Sequence, residues 1–323
     1  MNVTGKKVLV IGAARSGIAA ARFLAARGAV VALNDQKPFE NWTADVSDLK
    51  TAGVACLAGD VPTWLLDQIE LVVVSPGVPS KVIPIRYAQR AGAEILGEVE
   101  LAARYLRGRI VAITGSNGKT TTTTLIGELL KNGGIPVQVG GNIGRPLISL
   151  VETSRDQAWT VVELSSFQLE TISEFHPAVA TVLNVTPNHM DRYESFMDYA
   201  AAKHRIFMNQ TPGDVAILNA DDPVVSKWAN GLRAHVVRFS VKRQLDEGLF
   251  LRGHEIVSKT RDGEKVLLLR NEMKLRGLHN VENVLAAVAA GLACGADPAS
   301  MRETIKQFQP VEHRLEFVTA NIP

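Results

Sequence analysis

Apolar residues fall into two kinds of run along this chain. The first kind is short and unbroken. It includes Lys7-Val-Leu-Val-Ile11, Leu71-Val-Val-Val74, Ile110-Val-Ala-Ile113 and Val179 to Asn184. Such runs predict strands buried on both faces, as in a parallel sheet. Residues 29–34, 137–139, 159–164, 214–218 and 234–239 also read as strands, with polar residues among the apolar ones. The second kind recurs at helical spacing. It includes Ile18 to Ala26, then Leu125, Ile126, Leu129 and Leu130, then Phe196, Ala200, Lys203 and Phe207. A long apolar stretch from Asn280 to Ala293 is a further helix, with Asn280 as its expected cap. Ser195 is a cap for the helix that follows it, and Asp297-Pro298 is a cap with proline at the first helical position. Strand and helix alternate, so the chain is predicted to be α/β with a mostly parallel sheet. Residues 249–275 depart from this pattern. Their alternating polarity and the Arg261-Asp-Gly263 turn predict a small antiparallel subsheet.

The connections carry the chemistry. Ile110 to Ile113 runs into Thr114-Gly-Ser-Asn-Gly-Lys-Thr120 and then a helix. A strand, a glycine loop and a helix N-terminus form a phosphate cradle. Lys119 would meet the β- and γ-phosphates, and the Thr120 hydroxyl would ligate Mg²⁺. Ile113 stands where such a loop usually has its first glycine, so the loop is shorter than standard. Earlier, Gly12-Ala-Ala-Arg-Ser-Gly17 follows the first strand, and Asp35 ends the second. This is most of a dinucleotide fingerprint, with Ala14 in place of the central glycine. Ser75 and the Gly77 N–H end a third strand on the same side and are candidate phosphate donors. Gly140-Gly-Asn-Ile-Gly144 is a second glycine turn. Glu163 lies near a strand's carboxyl end, where a phosphate-loop protein usually keeps a carboxylate for Mg²⁺. His189 and Asp191 lie in another strand-end loop. Lys203 lies on an apolar helix stripe, where a lysine ordinarily snorkels its amine to water. If buried instead, its amine would be neutral more often and could form a carbamate with CO₂.

Bulk properties narrow the class. The 323 residues suggest two or three domains, and the 46% apolar content is that of a globular protein. A net charge of +2 gives no case for nucleic acid or a membrane surface. The two cysteines, Cys56 and Cys294, argue against a disulfide framework or a zinc site. No signal peptide or span of transmembrane length is seen, so a cytoplasmic protein without membrane insertion is expected.

Taken in order, the motifs resemble those of the Mur ligases. The resemblance rests on 114–120, 140–144, Glu163-Leu-Ser-Ser-Phe-Gln-Leu-Glu170 and Asn184-Val-Thr-Pro-Asn-His-Met-Asp-Arg-Tyr193. It extends through Ala201-Ala-Lys-His-Arg-Ile206, Asn219-Ala-Asp-Asp222, His279-Asn-Val-Glu-Asn283 and His313-Arg-Leu-Glu316. Residues 163–170 point to the branch that adds D-glutamate to UDP-N-acetylmuramoyl-L-alanine with ATP, through an acyl phosphate.

The resemblance implies a Rossmann-like domain at 1–97 that holds UDP, a P-loop ATPase-like domain at 98–310, and the start of a third domain at 311–323. It implies ATP contacts from Gly115, Ser116, Asn117, Gly118, Lys119, Thr120, Thr121, Asn280, Asn283 and Arg314. It implies UDP-substrate contacts from Arg15, Ser16, Asp35, Gln36, Lys37, Ser75, Gly77, Asn142, Ser165, Gln168 and His189. Lys37 stands where the family usually has arginine. Two Mg²⁺ ions would be held by Thr120, Glu163, His189 and a carbamylated Lys203, and Lys119, Glu163, His189 and Lys203 would be catalytic. A monomer is expected. Because the family's third domain would begin where this sequence stops, a fragment is expected that binds UDP-substrate, binds ATP weakly and ligates poorly or not at all. The competing expectations are a sister Mur-type or folylpolyglutamate-type ligase, an NAD-dependent dehydrogenase fused to a phosphate-loop module, and a non-catalytic nucleotide-sugar binding module.

Overall fold

The computed structural model describes residues 1–42, 45–79, 82–188 and 190–309. Two sheets organise them. The first half runs β1 (Lys7–Ile11), α1 (Arg15–Ala26), β2 (Val30–Asp35), α2 (Ser47–Thr51), β3 (Ala55–Ala58), α3 (Thr63–Leu66), β4 (Leu71–Val74), α4 (Ile83–Arg90), β5 (Glu94–Gly97) and α5 (Glu98–Ala103). Its five strands lie in the order β3-β2-β1-β4-β5, all parallel. Strand order reverses between β1 and β4, which opens a crevice at their carboxyl ends. The unbroken apolar runs of β1 and β4 are buried from Val8 to Ile11 and from Leu71 to Val74, as a sheet covered on both faces requires.

The second half runs β6 (Arg109–Thr114), α6 (Lys119–Asn132), β7 (Val137–Gly141), β8 (Trp159–Glu163), α7 (Ser166–Leu169), β9 (Val179–Val182), α8 (Phe196–His204), β10 (Val215–Asn219) and β11 (His235–Ser240). It continues with β12 (Gly248–Arg252), β13 (Glu255–Thr260), β14 (Gly263–Leu269), α9 (Leu278–Ala293) and α10 (Pro298–Gln307). Its nine strands are ordered β14-β13-β12-β11-β10-β9-β6-β8-β7. Strands from β7 to β12 pair in parallel, while β12, β13 and β14 form the antiparallel part expected from residues 249–275. The Arg261-Asp262 turn joins the last two.

Three local expectations need correction. Gly140 and Gly141 belong to β7 rather than to a turn, because they pair with Val162 and Glu163 of β8. Asn280 does not cap α9. The helix begins at Leu278 behind Gly277, whose φ of 86° no other residue adopts easily, and Asn280 folds its side chain back onto the Arg276 carbonyl at 2.7 Å. Lys203 does not snorkel. It is 2% exposed, because Tyr199 and the phosphate loop close over it. The other caps stand as expected. Asp198 N donates to Ser195 Oγ at 3.2 Å, and Ser300 N to Asp297 Oδ2 at 2.9 Å.

The two halves share one hydrophobic cluster. It runs from Leu24 and Leu33 through Leu101 of α5 to Ile148, Leu150, Leu169 and Phe175. A second cluster packs α9 and α6 against the nine-stranded sheet. Among the described residues, no helix is long and apolar enough to cross a membrane.

Candidate functional site

The candidate site residues lie at strand carboxyl ends, beside a cleft in the first sheet and at a phosphate-type loop in the second. In the first sheet the crevice beyond β1, β2 and β4 is a cleft of about 880 Å³, lined by Asp35, Gln36, Lys37, Ser75 and Gly77 among others. The loop that opens α1 forms its floor. Gly17 lies so close to Gly12 that a Cβ on it would come within 1.8 Å of the Gly12 carbonyl, so helix and strand meet only through glycine here. The Ser75 hydroxyl donates to that same carbonyl at 2.9 Å. Asp35 is spent on the backbone. Its Oδ2 accepts from Ala13 N at 2.7 Å and its Oδ1 from Lys37 N at 2.9 Å. In a dinucleotide enzyme this carboxylate would be offered to a ribose. Here it shapes the loop.

A neighbouring cavity of about 400 Å³ shares Ala14, Ser75 and Gly77 with the cleft and adds Arg15, Ser16, Asn142, Gly144 and Gln168. It spans the two halves of the molecule. Arg15 Nη1 donates to the Gly144 carbonyl at 3.2 Å, across the gap. Ser165 and Gln168 form a capping box on α7. Gln168 N donates to Ser165 Oγ at 3.3 Å, and Ser165 N donates back to Gln168 Oε1 at 2.9 Å.

In the second sheet the phosphate-type loop fills the turn from β6 into α6. Gly118 caps α6 with φ of 84°, and a Cβ there would come within 2.2 Å of Asn283 Oδ1. The position therefore needs glycine for its backbone and again for the close approach of α9. Asn283 is 5% exposed and donates to Asn280 Oδ1 at 3.2 Å, so both asparagines expected near ATP stand together beside the loop. Lys119 Nζ donates to the carbonyls of Gly115 and Ser116 at 3.0 and 3.1 Å. Lys203 Nζ donates to the same Gly115 carbonyl at 2.9 Å. Burial, with a smaller contribution from the Lys119 charge, pushes the Lys203 amine down to about 7.

Glu163 connects the phosphate-type loop with the 400 Å³ cavity. It is 1% exposed. Thr120 Oγ1 donates to its Oε2 at 3.0 Å and Asn142 Nδ2 to its Oε1 at 3.0 Å. Thr120 and Glu163, expected to share a metal, are thus in contact. Asn142, expected on the substrate side, lines the 400 Å³ cavity and holds the same carboxylate. A buried carboxylate beside a threonine hydroxyl is a hard oxygen donor set that fits Mg²⁺. Among the described residues, no group of three or more His, Cys, Asp or Glu side chains could hold a metal. His189 and Arg314 lie outside the described residues, as does the expected third-domain segment 311–323.

Two residues at the junction were given no role by the sequence. Arg192 reaches from the loop after β9 to the carbonyls of Gly77 and Val78. Glu98, the first residue of α5, is buried and accepts from Ile148 N at 2.7 Å. Arg192 falls inside a quoted motif, which was its only signal. Glu98 had none.

Comparison with known proteins gives a consistent picture. A family model described as the Mur ligase MurD-like, N-terminal domain matches residues 6–97, and one described as the Mur ligase middle domain matches residues 113–291. The UDP-N-acetylmuramoylalanine--D-glutamate ligase of Pelotomaculum thermopropionicum is 49% identical over 315 residues, covering 98% of this chain and 69% of that protein. The enzyme of the same name from Acidobacterium capsulatum is 47% identical over 320 residues, covering 98% of this chain and 69% of that protein. Among solved structures, the UDP-N-acetylmuramate:L-alanyl-gamma-D-glutamyl-meso-diaminopimelate ligase from Neisseria meningitides superimposes with a TM-score of 0.64 at 17% identity, covering 96% of this chain and 100% of that one. The UDP-N-acetylmuramate-alanine ligase from Thermotoga maritima gives 0.55 at 22% identity, covering 95% of this chain and 69% of that one. At those identities the structures speak for the fold alone.

Proposed function

The chain belongs to the Mur ligase family, and on that premise we propose that it serves the ATP-dependent addition of D-glutamate to UDP-N-acetylmuramoyl-L-alanine in cytoplasmic peptidoglycan precursor synthesis. The observation that carries the reading is the bridge at Glu163. One oxygen of its carboxylate meets the phosphate loop through Thr120, and the other meets the substrate-side cavity through Asn142. A carboxylate presented from the cavity would arrive beside a phosphate presented from the loop.

On this reading residues 1–97 hold the UDP-substrate, the residues from 98 onward hold ATP, and the protein acts as a monomer. The uridine diphosphate occupies the 880 Å³ cleft against Gln36 and Lys37. Its sugar and alanyl group extend past Arg15, Ser16 and Asn142. The alanyl carboxylate oxygen attacks the γ-phosphorus, the bond to ADP breaks, and an acyl phosphate forms. The D-glutamate amine then attacks the acyl carbon, loses a proton, and expels phosphate as the amide forms.

Two anions must approach for the first step, so positive charge has to be fixed beforehand. Lys119 supplies it by turning from the loop carbonyls to the phosphates. Thr120 and Glu163 would hold Mg²⁺, which, when bound, neutralises charge on the transferring phosphoryl group. His189 and Lys203 are assigned to a second Mg²⁺, Lys203 as its carbamate. A neutral amine is what carbamate formation needs, and the lowered basicity of Lys203 supports that assignment.

Calorimetric titration with UDP-N-acetylmuramoyl-L-alanine tests the reading. Lys119→Ala is expected to abolish ATP binding and leave binding of the UDP compound in place. Loss of both would overturn the two-site assignment.

A further inference from the structure

Arg192 joins three segments at one side chain. Its Nη1 donates to the Gly77 carbonyl and its Nη2 to the Val78 carbonyl, each at 3.2 Å. Its guanidinium carbon lies 4.1 Å from the centroid of the Phe167 ring, and Phe167 stacks on Tyr193 at 5.8 Å with 11° between the planes. Charged donors of this kind make stronger hydrogen bonds than neutral ones. The residue lines neither the 880 Å³ cleft nor the 400 Å³ cavity, but Ser75 and Gly77, in the segment it grips, line both.

The far end of the same loop is bonded to the phosphate loop. Ser116 N donates to the Asn184 carbonyl at 2.9 Å, and Asn117 N to Asn184 Oδ1 at 2.8 Å. Thr186 N donates to Ser116 Oγ at 2.9 Å. Residues 184 and 186 are therefore bonded to the phosphate loop, and Arg192 to the segment that lines the nucleotide cleft. The space between Arg192, Glu98, Gln168 and the 74–78 segment is only about 10 Å³. A shift of that segment has little void to be absorbed in.

We propose that Arg192 is a positioning residue that transmits occupancy of the nucleoside-diphosphate cleft to residues 184–188 and so to the phosphate loop. The inference rests on the functional reading above for the identity of the ligand. It concerns coupling between the two sites rather than binding at either.

The test is amide hydrogen exchange of the full chain with and without saturating UDP, saturation being set by calorimetry. Among the described residues, none from 184 to 188 lines the cleft or the cavity, so UDP does not shield that segment directly. In the wild type, UDP is expected to slow exchange across 75–78 and, by about tenfold, across 184–188. Arg192→Ala is expected to keep the first effect and lose the second. Arg192→Lys keeps the charge without the planar two-carbonyl fork, and is expected to keep at most about a third of the slowing. If the alanine variant does not fold, the lysine variant decides the matter. Full slowing of 184–188 in either folded variant, or none in a wild type that binds UDP, would overturn the proposal and leave the functional reading standing. A wild type that binds no UDP would overturn both.

Discussion

Replacing Glu98 by glutamine isolates the cost of a buried charge at the junction of the two halves. Glu98 is 1% exposed. One oxygen accepts from Ile148 N, and the other has no hydrogen-bond partner among the described residues. Burial raises the carboxyl from an ordinary 4.5 to about 7, against the opposing pull of the Ile148 and Leu147 N–H groups. The folded chain therefore binds more protons than the unfolded one between those two values. The stability from this group is fully present below pH 4.5 and is lost as pH rises through 7. At about 1.4 kcal/mol for each pH unit, that loss amounts to roughly 3 kcal/mol by pH 8. Glu98→Gln keeps an acceptor for Ile148 N and cannot ionise. Urea unfolding of both proteins, followed by circular dichroism from pH 5 to 8, gives the difference. Groups common to both cancel in it. The variant is expected to gain on the wild type by roughly 2.5 kcal/mol across that range. A gap that stays constant with pH would refute the reasoning, since it would mean that the carboxylate keeps its charge at no cost in the folded chain.

Two further outcomes follow at the phosphate-type loop. Gly118→Ala places a left-handed residue at about 1–2 kcal/mol and drives a methyl into Asn283. Affinity for a non-hydrolysable ATP analogue, read by calorimetry, is expected to fall at least about tenfold with UDP-substrate binding unchanged, and an unaltered affinity would count against the loop assignment. With ¹³C-labelled bicarbonate near pH 8, the wild type is expected to show a carbamate carbon resonance that Lys203→Met lacks. The same signal in both would remove Lys203 from the second metal site.

Much of the scaffold was legible because it is local. Val8–Ile11 and Leu71–Val74 are buried on both faces and carry no polar interruption, so their pattern alone identifies them as strands. Ser195 and Asp297 act as caps through atoms three residues away, within reach of a sequence reading. β3 was not recognised. It lies at the sheet edge, half-buried, with no continuous apolar signature. Asn280 misled because the cap is made by backbone conformation at Gly277, which a side-chain rule does not see. Lys203 misled because its stripe position is compatible with snorkelling, and only the approach of the phosphate loop from elsewhere in the chain seals it. The same limit applies at the junction. Glu98 meets Ile148, Asn142 meets Glu163, and Arg192 meets Gly77 across long stretches of chain. Residue types announce what chemistry is possible, but the two-sided environment of Glu163 comes from how the sheets are brought together.

The most direct test of the central claim is calorimetric titration of the 323-residue chain with UDP-N-acetylmuramoyl-L-alanine, with NADH as the control ligand and Lys119→Ala alongside. Saturable binding of the UDP compound alone, retained in Lys119→Ala, is the result expected if the first sheet holds the nucleotide-sugar and the second holds ATP. Binding of NADH in its place, or loss of the UDP compound with Lys119, would contradict that division.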